Sequence, residues 1–254
     1  MLGKNLIQAA AGAGAAGEVL GVEDVFSTWL YTGNGSTQTI TNGIDLAGEG
    51  GMVWIKSRAG TYGTGSHILF DTARGVNKYI NTNRNASQED LGAYTDLLTA
   101  FGTTGFTLGS GSSLSWTNVG SNTYASWTFR KAEKFFDVVT FTSNGASSQQ
   151  IAHNLGSVPG CIILKNLDSV SYGWYIYHRG TDASVPEQYG LEFTTAARNN
   201  NSVFWNNTQP TSTHFTIGNL YQGNTQNYVA YLFAHDAGGF GDDGTESVIK
   251  CGSY

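Results

Sequence analysis

The sequence predicts an all-β chain: two tandem β-sandwich units, jelly-roll or lectin-like, behind a flexible N-terminal segment. Three observations predict it. Charged residues make up only 13% of the 254 residues, and polarity comes from Ser, Thr, Asn and 34 Gly, a composition rich in turn formers and poor in helix formers. Short β-branched and aromatic runs recur between Gly- and Asn-rich stretches. The chain also repeats itself once, at a spacing that suits a sandwich of ~100 residues.

The repeat is visible along the whole chain. YTGNGSTQTITNGIDLAGEGGMVWIKSR (Tyr31 to Arg58) aligns with FTSNGASSQQIAHNLGSVPGCIILKNL (Phe141 to Leu167). Further on, DTARG (Asp71 to Gly75) meets YHRG (Tyr177 to Gly180), and GFTLG (Gly105 to Gly109) meets HFTIG (His214 to Gly218). YASWTF (Tyr124 to Phe129) meets YVAYLF (Tyr228 to Phe233), and offsets stay between 104 and 110 throughout. The expected division is an N-terminal segment 1–22, unit one 23–134, unit two 135–240, and a connector 241–254. ESVIKCGSY (Glu246 to Tyr254) echoes EDVFSTWLY (Glu23 to Tyr31), so this connector is expected to open a third copy.

Within a unit the elements follow from local chemistry. Asn34-Gly35 and Asn144-Gly145 lie between apolar runs and predict hairpin turns, since both residue types tolerate positive φ. Met52 to Lys56 and Cys161 to Lys165 are nearly continuous apolar runs, expected as central strands buried on both faces. Pro159 fits at a strand entry, where no ladder donor is needed. Phe106 to Leu108 and Phe215 to Ile217 alternate as half-buried strands do. Ser87 to Asp90 followed by Leu91 to Ala100 predicts one short capped helix, whereas the Asn-rich stretch 199–201 predicts a loop. Each unit holds well over a dozen large apolar side chains, so the two are expected to fold independently, as beads on a rod.

The net charge of −6 and pI near 5.2 argue against nucleic acid as a partner. No run approaches the ~20 apolar residues of a membrane span, and residues 1–22 are too Gly-rich for a secretory signal. Cys161 and Cys251 fit neither a disulfide framework nor a zinc signature and are expected as reduced, packed thiols. No nucleophile elbow, zinc-protease, phosphate-loop or paired-Cys motif occurs, and no cofactor is expected. The five histidines, His67, His153, His178, His214 and His235, are not duplicated with the fold and are expected in structural roles. Arg74 and Arg179 share an Arg-Gly pair and are expected to brace a local carboxylate or carbonyl.

Two weaker ligand readings arise. Gly238 to Asp243 fits a calcium-roll pattern once, which nominates Asp236, Asp242 and Asp243 as oxygen ligands, with a plain hinge as the favoured alternative. Trp54 and Trp127 fall in strand runs and are expected in the core. Tyr62, Tyr172 and Trp174 sit in or beside loops and are the candidates for stacking on a sugar ring.

The lines WTFRKAEKFFDVVTFTSNG, QIAHNLGSVPGCIILK, QPTSTHFTIG and YVAYLFAHDAGGFGDDG, with the opening MLGKNLIQAAAGAG, resemble tandem units in virion proteins of marine bacteriophages. Cyanophages in particular carry these tail-fibre-like proteins. The resemblance implies a non-enzymatic virion component, assembled in the host cytoplasm and contacting other virion proteins, with a homo-oligomeric state and a host-surface glycan as further expectations. It makes the N-terminal segment the anchor to the particle, through Leu2, Lys4, Leu6 and Ile7. A carbohydrate-binding adhesin and a capsid-decorating protein are the alternatives.

Overall fold

The computed structural model describes residues 19–59, 67–90, 97–110, 116–170, 172–220 and 225–252. The fold is an all-β sandwich built twice. After a one-turn helix α1 (Val22–Val25), unit one contains β1 (Phe26–Thr32), β2 (Gln38–Thr41), β3 (Gly51–Ala59), β4 (His67–Asp71), β5 (Lys78–Asn81), β6 (Glu89–Asp90), β7 (Leu98–Gly102), β8 (Gly105–Leu108) and β9 (Thr123–Arg130). Unit two contains β10 (Phe136–Thr142), β11 (Gln149–Ala152), β12 (Cys161–Asn166), β13 (Trp174–His178), β14 (Tyr189–Glu192), β15 (Asn199–Asn200), α2 (Ser202–Trp205), β16 (His214–Ile217) and β17 (Asn227–Phe233).

The two large sheets match strand for strand. One six-stranded sheet runs β1-β9-β3-β4-β5-β6, and the other runs β10-β17-β12-β13-β14-β15. A small sheet covers each: β2-β8-β7 in unit one and β11-β16 in unit two. Ile40, Phe106, Leu98 and Leu108 of the first small sheet meet Tyr31, Val53, Ile55, Phe70 and Tyr124 of its large sheet. Ile151, Phe215 and Ile217 meet Ile162, Leu164, Tyr228 and Leu232 in the second. Where unit one places β7, unit two places α2, whose Phe204 and Trp205 fill the same core.

Several local expectations change. The Asn-Gly pairs do not close hairpins, because β1 and β2 belong to different sheets, as do β10 and β11. Each Asn instead folds the arch between sheets as an Asx turn: Asn34 Oδ1 accepts from Ser36 N at 2.8 Å and Asn144 Oδ1 from Ala146 N at 2.9 Å. Only the glycines, Gly35 at φ +68 and Gly145 at φ +74, take the left-handed region. The helix expected across residues 87–100 is absent from its described parts, where Glu89–Asp90 and Leu98–Gly102 are strands. Ladder partners there outweigh the capping signal. Gly238 to Gly244 is no plain hinge: Phe240 and Glu246 bridge, and Phe240 is buried against both units. Glu246 to Gly252, expected to open a third copy, packs back through Val248 and Ile249.

The larger difference concerns the second face of the large sheets. Beads on a rod would leave that face to solvent. Here a third apolar cluster unites Met52, Leu69 and Ile80 of unit one with Val138, Trp174, Val229 and Tyr231 of unit two. Phe129 and Phe233, equivalent in the two copies, touch at 5.6 Å between ring centroids. The layers are therefore small sheet, large sheet, large sheet, small sheet. The alternation that points Val53 and Ile55 inward points Met52 and Trp54 at the other unit.

Candidate functional site

The junction between units carries the densest polar chemistry. Asp71 ends β4 and has no exposed surface. Its Oδ2 lies 2.6 Å from Arg74 Nε and accepts from the Tyr231 hydroxyl at 2.6 Å. Its Oδ1 accepts from Arg74 N at 2.8 Å, and Arg74 Nη2 donates to Leu69 O at 3.1 Å. Burial opposes Arg74's charge, yet Asp71 and Tyr231 beside it hold its pKa above the usual value. Burial pushes the Tyr231 hydroxyl well above its ordinary pKa, so it stays a donor. The arrangement is a brace: every group is satisfied, and Arg74 also borders an open concavity of about 350 Å³.

Trp174, a sugar-stacking candidate, belongs to this junction. It is 2% exposed, and its indole N–H is shared between Asn81 O and Arg84 O, each at 3.3 Å. Burial between the sheets removes it from any sugar ring. Its neighbour Lys165 is equally buried and donates to Tyr172 O at 2.7 Å and Asn85 O at 3.3 Å. Desolvation pulls the Lys165 ammonium down to about 8. Tyr172 is half-buried and contributes its carbonyl here. Tyr62 lies outside the described residues, as do Leu2, Lys4, Leu6 and Ile7. Trp54 and Trp127 pack edge to face at 5.9 Å on the junction side of their sheet and are half-buried.

The acidic candidates are spent locally. Asp236 Oδ2 pairs with Lys250 Nζ at 3.0 Å, and Asp243 Oδ1 accepts from Thr245 N and Oγ1 at 3.0 and 2.7 Å. Asp242 lies beside them on the rim where residues 19–24 meet the connector. Among the described residues no three His, Cys, Asp or Glu side chains converge to hold a metal.

The histidines brace backbone. His153 Nδ1 accepts from Leu155 N at 3.3 Å, His178 Nδ1 from Gly180 N at 3.1 Å, and His235 Nδ1 from Cys251 N at 3.0 Å. Burial lowers the pKa of all three, so they are neutral near pH 7. Burial pushes the Cys161 thiol up to about 12 and also raises Cys251, which leaves neither as a ready thiolate.

One open pocket of about 510 Å³ sits at the end of unit two, where β13 and β17 finish. Lys134, Arg179 and His235 line it with Asp182, Ser184 and Gln209. The two Arg-Gly arginines thus part company: Arg74 is buried in the brace, whereas Arg179 is exposed. The strand registers place His178 where unit one has Asp71, so Arg74 comes three residues after its carboxylate whereas Arg179 directly follows a histidine. The shared Arg-Gly pair equated two arginines that the register keeps apart.

A family model described as a domain of unknown function, DUF7483, matches residues 22–245. The chain belongs to this family. The DUF7483 match runs through both sandwiches and the Phe240 connector, so the family's unit is the joined pair. No curated protein and no solved structure matches the chain.

Proposed function

We propose that this DUF7483 chain is a non-enzymatic structural module of a virion, a stiff block within a tail fibre or similar appendage. The observation that carries the reading is the junction: two sandwiches share one buried apolar layer and a satisfied ionic brace, which suits a load-transmitting element. The spending of histidines and thiols on packing fits the same reading, as does the likeness to tail-fibre-like proteins of marine phages. Other virion proteins and further copies of the chain are its proposed partners. The anchor is proposed within residues 1–18, because Leu20 already belongs to the block: it packs on the junction, and its carbonyl accepts from Gly241 N at 3.0 Å.

Immunogold labelling of intact particles of the encoding phage tests the reading. Label on a tail appendage is expected, and deletion of residues 1–18 is expected to remove the label while the block still folds. Particles without label, with the protein free in the lysate, would overturn it.

A further inference from the structure

The pocket at the end of unit two differs from the corresponding end of unit one in its charges. At the unit-one end, Arg130 pairs with Glu49 at 3.2 Å and Lys131 with Asp137 at 2.9 Å. At the unit-two end, Arg179 and Lys134 are both exposed, and neither has an ion-pair partner among the described residues. Both line the same concavity, in a chain whose net charge is −6. Leaving two cations unpaired around a pocket, on an otherwise acidic protein, points to an anionic ligand.

The rest of the lining narrows the class. Asp182 is ionised: the backbone N–H groups of Ser184 and Val185, then Arg198 at 3.0 Å, hold its pKa below the usual value. Glu187 also lies close to Tyr177, which lines the pocket. These carboxylates disfavour a phosphate monoester, which carries ~1.5 to 2 negative charges, more than they disfavour a single carboxylate. Asp182, Ser184 and Gln209 offer acceptors and donors suited to hydroxyl groups. Val158, 52% exposed on the rim, and Pro186 provide apolar surface for the C–H face of a ring. The volume falls within the ~300–1,000 Å³ of small-molecule sites.

We propose that this pocket binds a carboxylate-bearing saccharide, a uronic-acid unit of a glycan. Arg179 takes the carboxylate through its planar fork, Lys134 adds a second positive charge, and Asp182 accepts from ring hydroxyls. The site stands whether or not the chain is carried on a particle, and it lies away from the aromatic candidates Tyr172 and Trp174.

Isothermal titration of the full chain with trigalacturonate tests it, with maltotriose and inorganic phosphate as comparison ligands. Saturable binding of trigalacturonate is expected, with none of maltotriose and weaker binding of phosphate. Arg179→Gln is expected to weaken trigalacturonate binding at least about tenfold without moving the thermal midpoint, whereas Arg58→Gln, an exposed arginine outside the pocket, leaves it unchanged. No saturable trigalacturonate binding, equal binding of maltotriose, tighter binding of phosphate, or full binding by the Arg179→Gln chain would each overturn the assignment.

Discussion

Tyr231 is the place to ask whether the two sandwiches fold as one. It lies on β17 of unit two, but its hydroxyl donates to Asp71 of unit one at 2.6 Å with 1% of its surface exposed. Tyr231→Phe keeps the ring, which packs 6.5 Å from Phe136, and deletes the hydroxyl that donates to Asp71 and accepts a longer bond from Arg74 Nη2 at 3.4 Å. A hydrogen bond to a charged partner is worth ~1.5–3 kcal/mol. Asp71 keeps Arg74 Nε and Arg74 N as partners, so the loss should be near the middle, about 2 kcal/mol, or about 4–8 °C in Tm for a chain of this size. Asp71→Asn weakens the pairing of a buried guanidinium and should cost ~3 kcal/mol. The pair is informative because its members lie 160 residues apart. Urea titrations followed by tryptophan fluorescence, on wild type, both single variants and the double variant, give the coupling energy. A joined block shows a single transition and a coupling of ~1–2 kcal/mol. Two separate transitions, with Tyr231→Phe moving one and Asp71→Asn the other, or a coupling below ~0.5 kcal/mol, would refute the shared-core argument.

Other consequences are equally measurable. Lys165 titrates at about 8 when folded and near ~10.4 when unfolded, so between these values the unfolded chain holds the extra proton and stability rises with pH. Relative to Lys165→Met, in which this titration is gone, wild type should gain up to ~3 kcal/mol from pH 7.5 to 10.5, read as the difference between urea midpoints; a constant difference would contradict the burial of a charged Lys165. Gly105 has φ +147, and a Cβ there would sit 1.9 Å from Ile40 O. Gly105→Ala should therefore cost about 3 kcal/mol or more, whereas His214→Ala at the matching position of unit two should cost much less; equal costs by thermal melting would count against this strand approach. With its thiol pushed up to about 12 from the ordinary ~8.5, native Cys161 should react with iodoacetamide at pH 8 on the order of a thousandfold more slowly than in the unfolded chain, and comparable rates by mass spectrometry would mean that the thiol is not buried.

Much of the fold was legible because its signals are local. Met52 to Lys56 and Cys161 to Lys165 are central strands, and their nearly unbroken apolar character reports burial on both faces. What covers the second face was not legible. Period-two alternation says that Met52 and Trp54 face away from Val53, but it is blind to which surface they meet. The same limit misplaced Trp174, whose setting beside a loop resembles that of an exposed binding aromatic until Asn81 and Arg84 arrive from another unit. The pocket escaped because its members come from five separate segments around Lys134, Val158, Arg179, Gln209 and His235, and no spacing in sequence brings these together. The Asn-Gly turns were misread for a related reason: a turn motif fixes a reversal of the backbone, not whether the flanking strands pair with each other.

The junction also specifies which copies meet. Tyr231 of unit two occupies the register position that Trp127 holds in unit one, since each lies two residues before the equivalent Phe233 and Phe129. An indole N–H at that position projects differently from a phenol, and His178 stands where Asp71 would have to be. Two unit-one sheets face to face would therefore leave two buried Asp71–Arg74 pairs without their tyrosines, and two unit-two sheets would have tyrosines without carboxylates. A buried polar group without its partner costs ~1–3 kcal/mol, so the mixed pairing is favoured over either like pairing by chemistry alone. Covalent linkage adds to this, because joining the two copies in one chain avoids the translational and rotational cost of association. The face so consumed is unavailable for assembly. Any contact with another protein is left the small-sheet sides and the sheet edges, among them β1, where Leu30 remains 60% exposed.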